Sequence, residues 1–404
     1  MGAFARRVGQ AGFGLVVGPL LEDVAVFQRV GPATDIVRKE MYELTDRGGR
    51  HLALRPEGTA AVVRAYLQHR PPLPFKAWYA SPHFRYERAQ AGRYRQHHSL
   101  GVEALGTADP ALDVEVVELA WRFVTGDVGL AGVEVVVGSL GDGLCRPAYL
   151  AALARHLAAR RHELCPDHAE RAEASPLRVL DCRRPACREA TADAPRLLDA
   201  LCPACAEHFA AVRAGLDAAG VAHRVDPRLV RGLDYYTRTL FELPAAALPG
   251  AQSAVGGGGR YDDLAEALGG PATPGMGFGL GIERLLLAAD AEGSNPVPAP
   301  AVAVWVVDVT GGDEASALAR ELRAAGIGCD RSFDHRSMRA QLRAADRAGA
   351  RVAVLVGDRE RAGGVATVRD LATGDQREVE RPALVAELAR ALGPARPPAG
   401  EGRR

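Results

Sequence analysis

The chain has 404 residues, of which 48% are apolar and 25% charged, and its formal net charge is zero. This length predicts two to three domains, the zero charge excludes a general polycation, and no apolar run reaches the roughly 18 residues of a membrane span. Seven cysteines, an odd number in a long chain, do not indicate a secreted disulfide framework, so we expect a cytoplasmic enzyme.

The first informative motif is RPEGT, which lies between a predicted strand at 51–54 and a predicted helix from about residue 57. Glu57, Gly58 and Thr59 offer a carboxylate, an accessible backbone and a hydroxyl, which together can hold an ammonium group. The same residue types are common as simple caps at a helix start, so both interpretations stay open.

A β-hairpin is predicted for residues 78–106, where the first strand ends at Arg85. Side chains repeat every two residues on a strand, so Ser99, Gly101 and Glu103 share one face of the returning strand. The turn adds three more guanidinium groups, which suit a polyphosphate because each is a planar fork of donors. A solvated basic loop is the alternative. The turn arginines are Arg88, Arg93 and Arg95.

Residues from about 140 to 225 are predicted to form a helical insertion, because Ala, Arg and Leu recur there at helical spacing. Four of its cysteines have C-x4-C and C-x2-C spacing and can close a tetrahedral zinc site. The 14 residues between these pairs include a predicted helix start, so reduced thiols without metal are the favoured interpretation. The four are Cys182, Cys187, Cys202 and Cys205. We expect Cys145, Cys165 and Cys329 to be isolated buried thiols.

Two glycine-rich or aromatic motifs follow the insertion. LVRGLDYYTRTLFE reads as a strand with Arg231 and Tyr235 on one face and Tyr236 on the other, unless Gly232 introduces a bulge. A purely structural aromatic pair is the alternative. The four glycines of AVGGGGRYD predict backbone that a ligand or a second strand approaches closely. A flexible loop is the equal alternative for this segment.

The motif GMGFGLGIER alternates glycine along a predicted strand, which leaves one strand face bare. The strand leads into a helix that carries Arg284 near its start. An arginine beside this bare strand face can lie over a planar base and reach a phosphate. The pattern is not the dinucleotide fingerprint, because no βαβ unit follows it.

The composition changes at residues 293–300, which read as an interdomain linker. The preceding segment, 1–292, has short strands separated by hairpin turns, which predicts an antiparallel sheet. Residues 301–392 alternate buried strands with amphipathic helices, which predicts a small α/β domain. The tail, 393–404, is rich in proline and glycine and is expected to be disordered.

In this order, the motifs resemble those of the histidyl-tRNA synthetases over nearly the whole chain. FRYERAQAGRYRQ and GFGLGIERL are similar to class II motifs 2 and 3, RGLDYYTRT and GGGGRYD to the two histidine-specific motifs, and GLVVGPLLED to the end of motif 1. The resemblance implies an α+β class II catalytic core on a mostly antiparallel sheet with a helical insertion. It also implies a C-terminal α/β anticodon-binding domain and a homodimer.

The resemblance further implies that the chain activates L-histidine with ATP, carried with Mg²⁺, and transfers histidine to the 3′ end of histidine tRNA. The catalytic residues would be Arg85 and Arg231. The residues that would bind histidine are Glu57, Gly58, Thr59, Arg85, Ser99, Glu103, Arg231, Tyr235 and Tyr236. The residues that would bind ATP are Arg85, Glu87, Arg93, His97 and Arg284. No membrane is involved.

Three features depart from the family's pattern. Ser99 stands where the family has a glutamine that binds histidine, and the shorter side chain reaches the substrate only through water, at a cost of about 1.5–3 kcal/mol. His97 stands where the family usually has a phenylalanine that stacks on adenine, and imidazole can stack too. The family's N-terminal segment, which helps to build the pocket, has no counterpart before Met1.

A non-charging paralogue is the second hypothesis, such as the regulatory subunit of ATP phosphoribosyltransferase or a histidine-sensing binding protein. That subunit typically lacks the histidine motifs and the anticodon domain. Here LVRGLDYYTRT and residues 301–392 are both present. The sequence therefore predicts a histidine–tRNA ligase.

Overall fold

The computed structural model divides into two units, Met1–Asn295 and Pro296–Arg404. No described helix is long and apolar enough to cross a membrane. The predicted tail, 393–404, and most of the predicted linker lie outside the described residues. The structure describes residues 1–29, 34, 36–173, 175–182, 184–248, 253–295, 302–334 and 336–392.

The first unit contains an eight-stranded sheet and a separate three-stranded sheet. Its strands are β1 (Gly14–Leu15), β2 (Leu21–Asp23), β3 (Tyr42–Thr45), β4 (His51–Leu54), β5 (Phe75–Phe84), β6 (Gln96–Leu105), β7 (Val135–Ser139), β8 (His223–Val225), β9 (Thr237–Pro244), β10 (Ala254–Arg260) and β11 (Gly275–Gly281). The large sheet has the order β1-β5-β6-β11-β10-β9-β7-β8, and the small one β2-β4-β3. Parallel pairs occur in the large sheet only at β1–β5 and β7–β8, so the predicted mostly antiparallel core is confirmed.

Glycine shapes the centre of the large sheet. Gly257, Gly279 and Gly101 are register partners across β10, β11 and β6. The four-glycine segment is a central strand and not a flexible loop, and a side chain at Gly258 would overlap the carbonyl oxygen of Gly277. These strands therefore approach one another closely and present a flat backbone surface on one face.

The helices of the first unit pack on the large sheet or form the region between β7 and β8. They are α1 (Gly2–Gln10), α2 (Val24–Gln28), α3 (Thr59–His69), α4 (Pro110–Arg122), α5 (Arg146–Ala159), α6 (Pro166–Arg171), α7 (Pro176–Leu180), α8 (Pro185–Ala190), α9 (Pro203–Ala218), α10 (Leu264–Ala267) and α11 (Ile282–Glu292). The start of α4 shows why it forms there: the Asp109 carboxylate accepts from the Ala111 amide at 2.9 Å, and Pro110 occupies the first turn. Helices α5 to α9 lie inside the predicted insertion.

A buried ion pair, which the sequence did not predict, fixes α4 to the sheet. Arg260, on β10, is fully buried and donates from Nε to Asp113 Oδ1 at 3.0 Å. The other carboxylate oxygen of Asp113 contacts His208 Nε2 at 2.7 Å, which brings in α9. Removing one partner of such a buried pair costs about 3–5 kcal/mol. The network therefore holds the sheet, α4 and α9 in one arrangement.

The second unit is a small α/β domain, as predicted. Its elements are β12 (Val304–Asp308), α12 (Asp313–Ala324), β13 (Cys329–Arg331), α13 (Met338–Arg347), β14 (Val352–Val356), α14 (Asp358–Gly363), β15 (Val365–Asp370), β16 (Gln376–Glu380) and α15 (Leu384–Leu392). The sheet order is β13-β12-β14-β15-β16, with β13, β12 and β14 parallel and the last two strands antiparallel. The two parallel strands that carry the core, β12 and β14, are buried along their whole length.

Candidate active site

A cleft opens over the glycine surface of the large sheet, at the turn between β5 and β6 and the start of α11. Residues from four distant motifs meet there. Among the residues that line it are Arg85, Glu87, Arg93, His97, Ser99, Arg231 and Arg284. The structure thus brings together all five residues that the sequence analysis assigned to ATP and both arginines assigned to catalysis.

Two of the four guanidinium groups predicted for the hairpin turn do not face this cleft. Arg88 and Arg95 are exposed, and the Arg95 guanidinium lies 4.3 Å from the centre of the Tyr86 ring. The turn therefore contributes Arg85 and Arg93 to the cleft. An expectation of four arginines on one ligand was wrong, because Arg88 and Arg95 do not line the cleft.

The bare strand face predicted from the alternating glycines is present at Gly279 and Gly281, whereas Tyr261 and Glu103 cover it at Gly275 and Gly277. Nothing lies within 4 Å of the position that a Cβ of Gly279 would take, and Gly279 and Gly281 line the cleft. Arg284, in the first turn of α11, is positioned beside this wall by donating from Nε to the Gly92 carbonyl at 2.9 Å and from Nη1 to the Ala254 carbonyl at 3.1 Å. A planar group can therefore lie on the backbone of β11 next to a guanidinium.

Acidic partners hold several cleft cations in place. Arg231 donates from Nη1 to Glu242 Oε1 at 3.0 Å, and Arg93 forms a close ion pair with Glu87. Arg85 donates from Nε to the Pro56 carbonyl at 2.9 Å, which turns its guanidinium toward the β4–α3 segment. The cleft therefore offers fixed positive groups whose directions are set before a ligand arrives.

His97 lines the cleft as a neutral ring. Burial, followed by the nearby charge of Arg85, lowers the pKa of His97 to about 4. Its ring lies 5.7 Å from that of His83, in an edge-to-face arrangement. At neutral pH the imidazole is uncharged, so it can pack on a planar ring without adding positive charge.

A second, closed part of the site surrounds Glu103 on β6. This carboxylate is fully buried and accepts from Thr59 Oγ1 at 2.7 Å, from the Tyr79 hydroxyl at 3.3 Å and, in a short contact, from the Tyr261 hydroxyl. Burial raises the pKa of Glu103 to about 8, even though these hydrogen bonds oppose the shift. The pocket therefore contains a buried carboxyl group that accepts hydrogen bonds from three side chains of the protein.

Glu57 lies next to this carboxylate and also caps a helix. It accepts from the amides of Thr59 and Ala60 at 2.7 and 2.9 Å, and α3 begins at Thr59, two residues later than predicted. The Tyr235 hydroxyl reaches Glu57 Oε2 at 3.4 Å. Burial raises the pKa of Glu57. The helix-cap interpretation is therefore correct for the free protein, and the same carboxylate lies at the pocket.

Gly58 is required by packing. A side chain at Gly58 would overlap the ring of Tyr79, and so would one at Gly101 from the opposite side. Tyr79 is thereby held between two glycines with its hydroxyl directed at Glu103. The glycine of RPEGT thus positions a hydrogen-bond donor of the pocket.

The predicted strand placement of the two tyrosines was wrong. Strand β9 begins at Thr237, and the preceding residues, 229–236, form turns and irregular structure, so the two-residue alternation does not apply to them. Tyr235 and Tyr236 are both buried, with ring centres 4.8 Å apart. Arg146 of α5 donates to the Tyr236 carbonyl in a short contact, so the insertion supports this segment.

Sequence reasoning missed three residues of the site: Tyr79, Tyr261 and Glu242. A signal existed for each. Tyr79 is the register partner of Gly101 on the first hairpin strand, so continuing the same-face argument across the hairpin would have found it. Tyr261 follows the four glycines, and Glu242 ends the motif that contains Arg231.

The single four-cysteine set proposed from spacing was also wrong. Cys182 and Cys187 lie with Cys165 and His168, whereas Cys202 and Cys205 lie with Asp142 and Cys145. Cys145 and Cys165 are therefore not the isolated thiols that we expected. Cys329 is buried in the second unit and belongs to neither group among the described residues.

Known proteins with similar sequences or structures are named as histidyl-tRNA synthetases or histidine–tRNA ligases. A family model described as histidyl-tRNA synthetase matches residues 2–285, and one described as anticodon binding domain matches residues 301–391. The chain is 49% identical over 391 residues to the histidine–tRNA ligase of Rhodococcus erythropolis, covering 95% of this chain and 91% of that protein. It is 48% identical over 388 residues to that of Moorella thermoacetica, with 94% and 91% covered. The crystal structure of apo S. aureus histidyl-tRNA synthetase is similar at 34% identity and a TM-score of 0.80, with 96% and 93% covered.

Proposed function

This chain belongs to the histidyl-tRNA synthetase family, and we propose that it activates L-histidine with ATP and transfers the histidyl group to the 3′ end of histidine tRNA. The observation that carries this proposal is the meeting of a closed carboxylate pocket and an arginine-lined cleft on one sheet face. The non-charging alternative is not favoured, because the full-length relatives are named ligases.

The pocket suits the imidazole ring and the α-ammonium group of histidine. Glu103 accepts a hydrogen bond from an imidazole N–H, and the rings of Tyr235 and Tyr236 enclose the side chain. Glu57 and Thr59 hold the α-ammonium group. In this structure Glu103 accepts a hydrogen bond from the Thr59 hydroxyl, and Glu57 accepts one from the Tyr235 hydroxyl. Histidine would therefore replace internal hydrogen bonds when it binds.

The cleft suits ATP, which brings its Mg²⁺ as part of the substrate. Arg93 and Arg284 bind the outer phosphates or the adenosine, and Glu87 accepts from the adenine edge. The neutral His97 ring packs on the base, opposite the glycine wall of β11. These roles are supported by the common position of the residues in one cleft.

Activation then joins the two substrates between Arg85 and Arg231. A carboxylate oxygen of histidine attacks the α-phosphorus, the bond from that phosphorus to the bridging oxygen breaks, and pyrophosphate leaves with that electron pair. Negative charge builds on the phosphoryl oxygens during this step, and fixed guanidinium groups stabilise it. No nucleophilic side chain is needed, so the arginines carry the catalysis.

We assign the catalytic domain to residues 1–292 and the anticodon-binding domain to 301–392. The second unit offers a surface that suits tRNA. Phe333 is 59% exposed, the Arg331 guanidinium lies 4.3 Å from its ring centre, and Arg339 and Arg343 are exposed on α13. Guanidinium groups bind phosphates, and exposed aromatic rings stack on unpaired bases.

The working unit is a homodimer in the cytoplasm. The segment similar to motif 1 exposes apolar side chains in a row: Leu15 is 58%, Val17 85% and Leu20 44% exposed. Exposed apolar side chains that cluster in this way are typical of protein–protein interfaces. A second copy of the chain would cover them.

Aminoacylation of histidine tRNA by the purified protein tests this proposal. We expect labelled histidine, and none of the other amino acids, to become attached to tRNA in an ATP-dependent reaction. The Phe333→Ala variant should charge tRNA more slowly at limiting tRNA while activating histidine normally. A folded protein that charges no tRNA with histidine would contradict the proposal.

A further inference from the structure

Two groups of metal-ligating side chains lie in the region of α5 to α9, outside the cleft and the closed pocket. The first, here called site one, consists of Cys165, His168, Cys182 and Cys187. The second, site two, consists of Asp142, Cys145, Cys202 and Cys205. In each group the four ligand atoms lie within 4.8 Å of one another.

The donor atoms suit a closed tetrahedral zinc site, and in each group they lie close enough together to bind one ion. With zinc–sulfur bonds of about 2.3 Å, neighbouring sulfur ligands lie about 3.8 Å apart. In site one, Cys165 Sγ lies 3.1 Å from His168 Nδ1. In site two, Asp142 Oδ1 lies 3.6 Å from Cys145 Sγ and 3.8 Å from Cys202 Sγ. Three sulfurs with one imidazole or one carboxylate are ligand sets that zinc accepts.

Each group joins two short ligand pairs from different segments. Site one combines C-x2-H at the start of α6 with C-x4-C at the α7–α8 connection. Site two combines D-x2-C before α5 with C-x2-C at the start of α9. Isolated structural thiols have no reason to converge in fours, with a histidine or an aspartate completing each set. The repeated arrangement points to a ligand.

A cross-link would stabilise the short helices of this region, which also share a buried apolar cluster. Helices α6, α7 and α8 have 6, 5 and 6 residues, whereas isolated helices shorter than about 12 residues are marginal in water. Site one connects α6 to α8 and to the segment between α7 and α8. A bound metal ion would supply folding free energy to this region directly.

Arg238, next to site two, gives an independent indication. It has a left-handed backbone (φ 46°) although it is not glycine, and its Nε is buried with no hydrogen-bond partner in the described part of the chain. Its Nη2 lies 3.5 Å from Asp142 Oδ2. Asp142 already pairs with this partly buried guanidinium, and a zinc ion with three thiolates and one carboxylate would add net negative charge beside it.

We propose that the insertion binds two structural zinc ions, one at site one and one at site two. Each ion has four protein ligands and no open position, so its role is to hold the fold and not to act on substrate. The cysteine thiols release their protons to solvent when zinc binds. Site two lies beside the segment that carries Tyr236, because Arg238 exchanges backbone hydrogen bonds with Leu140 and Gly141.

Zinc content of the purified full chain, measured by elemental mass spectrometry against protein concentration, tests this proposal. We expect two zinc ions per chain, one in Cys187→Ala, one in Cys205→Ala and none in the double variant. Cys329→Ala is the matched control, because it removes a buried cysteine outside both sites, and it should retain two.

A wild-type protein without zinc after refolding in its presence would overturn both sites. Zinc content unchanged by one of the two variants would overturn the corresponding site. If a variant does not fold, cobalt(II) added to metal-stripped wild-type protein decides the question. Thiolate-to-cobalt charge-transfer absorption that saturates at two ions supports the proposal, and its absence contradicts it.

Discussion

The two halves of the site are prepared for their ligands in opposite ways. Around Glu103 the polar groups are buried and bind one another, with Thr59 and Tyr79 as donors. Around Arg284 the site is an open cleft with a bare glycine wall, and its guanidinium groups are held by carbonyls and carboxylates. The first half recognises a small ligand by exchanging hydrogen bonds, and the second attracts a highly charged one with fixed cations.

This difference indicates which half of the site determines selectivity for the amino acid and which determines the rate of activation. A buried acceptor rejects a ligand that lacks the matching donor, because an unsatisfied polar group costs about 1–3 kcal/mol. A fixed cation does little to distinguish amino acids but stabilises charge that develops in the transition state. Changes in the closed half should therefore act on histidine binding, and changes of the cleft arginines on the rate.

The largest effect is expected for Arg231→Ala. This change removes a guanidinium group from the reacting phosphate, so we expect kcat of histidine activation to fall by about 10²–10³. Arg88→Ala is the matched control, because Arg88 is exposed outside the cleft. Equal rates for the two variants in steady-state activation assays would contradict the assigned role of Arg231.

A smaller loss is expected for Glu103→Gln, and it should appear in binding. The substitution keeps the shape and removes the charged acceptor, which weakens histidine binding by about ten- to a hundredfold. The variant should unfold at the same or a higher temperature than wild type above pH 8, since it no longer buries a carboxylate. Titration calorimetry with histidine and thermal unfolding measure both quantities, and unaltered histidine affinity would exclude Glu103 from the pocket.

A gain of similar size is expected for Ser99→Gln. The longer amide can contact histidine directly, so the affinity for histidine should rise by up to about tenfold to a hundredfold. The KM for ATP should stay within about twofold, because the new group faces the amino acid. If the KM for histidine rises instead, Ser99 is not a shortened histidine ligand.

The smallest effect is a pH dependence that originates at Glu103. Its pKa of about 8 means that most molecules carry a protonated Glu103 at pH 7, whereas an imidazole N–H needs the carboxylate as acceptor. Histidine affinity should therefore rise by about fivefold from pH 7 to 8 and by about tenfold in total as the carboxyl group becomes fully ionised. The stability contribution has the opposite sign: it is complete below the unfolded pKa of about 4.5 and is lost as pH rises through about 8.

Binding measured from pH 7 to 8.5 tests this dependence, and Glu103→Gln is the control. Histidine's own imidazole stays neutral in this range. The variant should show no rise. A rise of the same size in the variant would assign the titration to another group.

The resemblance in motif order predicted the fold class, and the residues that it assigned to ATP meet in one cleft. Tyr235 and Tyr236 were placed wrongly because their segment, 229–236, forms turns before β9, where the period of two fails. The cysteines were grouped wrongly because spacing along the chain says nothing about which distant segments meet. Cys205 lies near Asp142 only through the packing of α9 against the β7–α5 connection.

Histidine-dependent exchange of labelled pyrophosphate into ATP, without tRNA, tests the central claim most directly. It requires that the closed pocket and the arginine-lined cleft act on one amino acid together. We predict exchange with histidine and not with the other amino acids, retained in Arg88→Ala and lost in Arg231→Ala. A folded wild-type protein that catalyses no exchange with histidine would contradict the account.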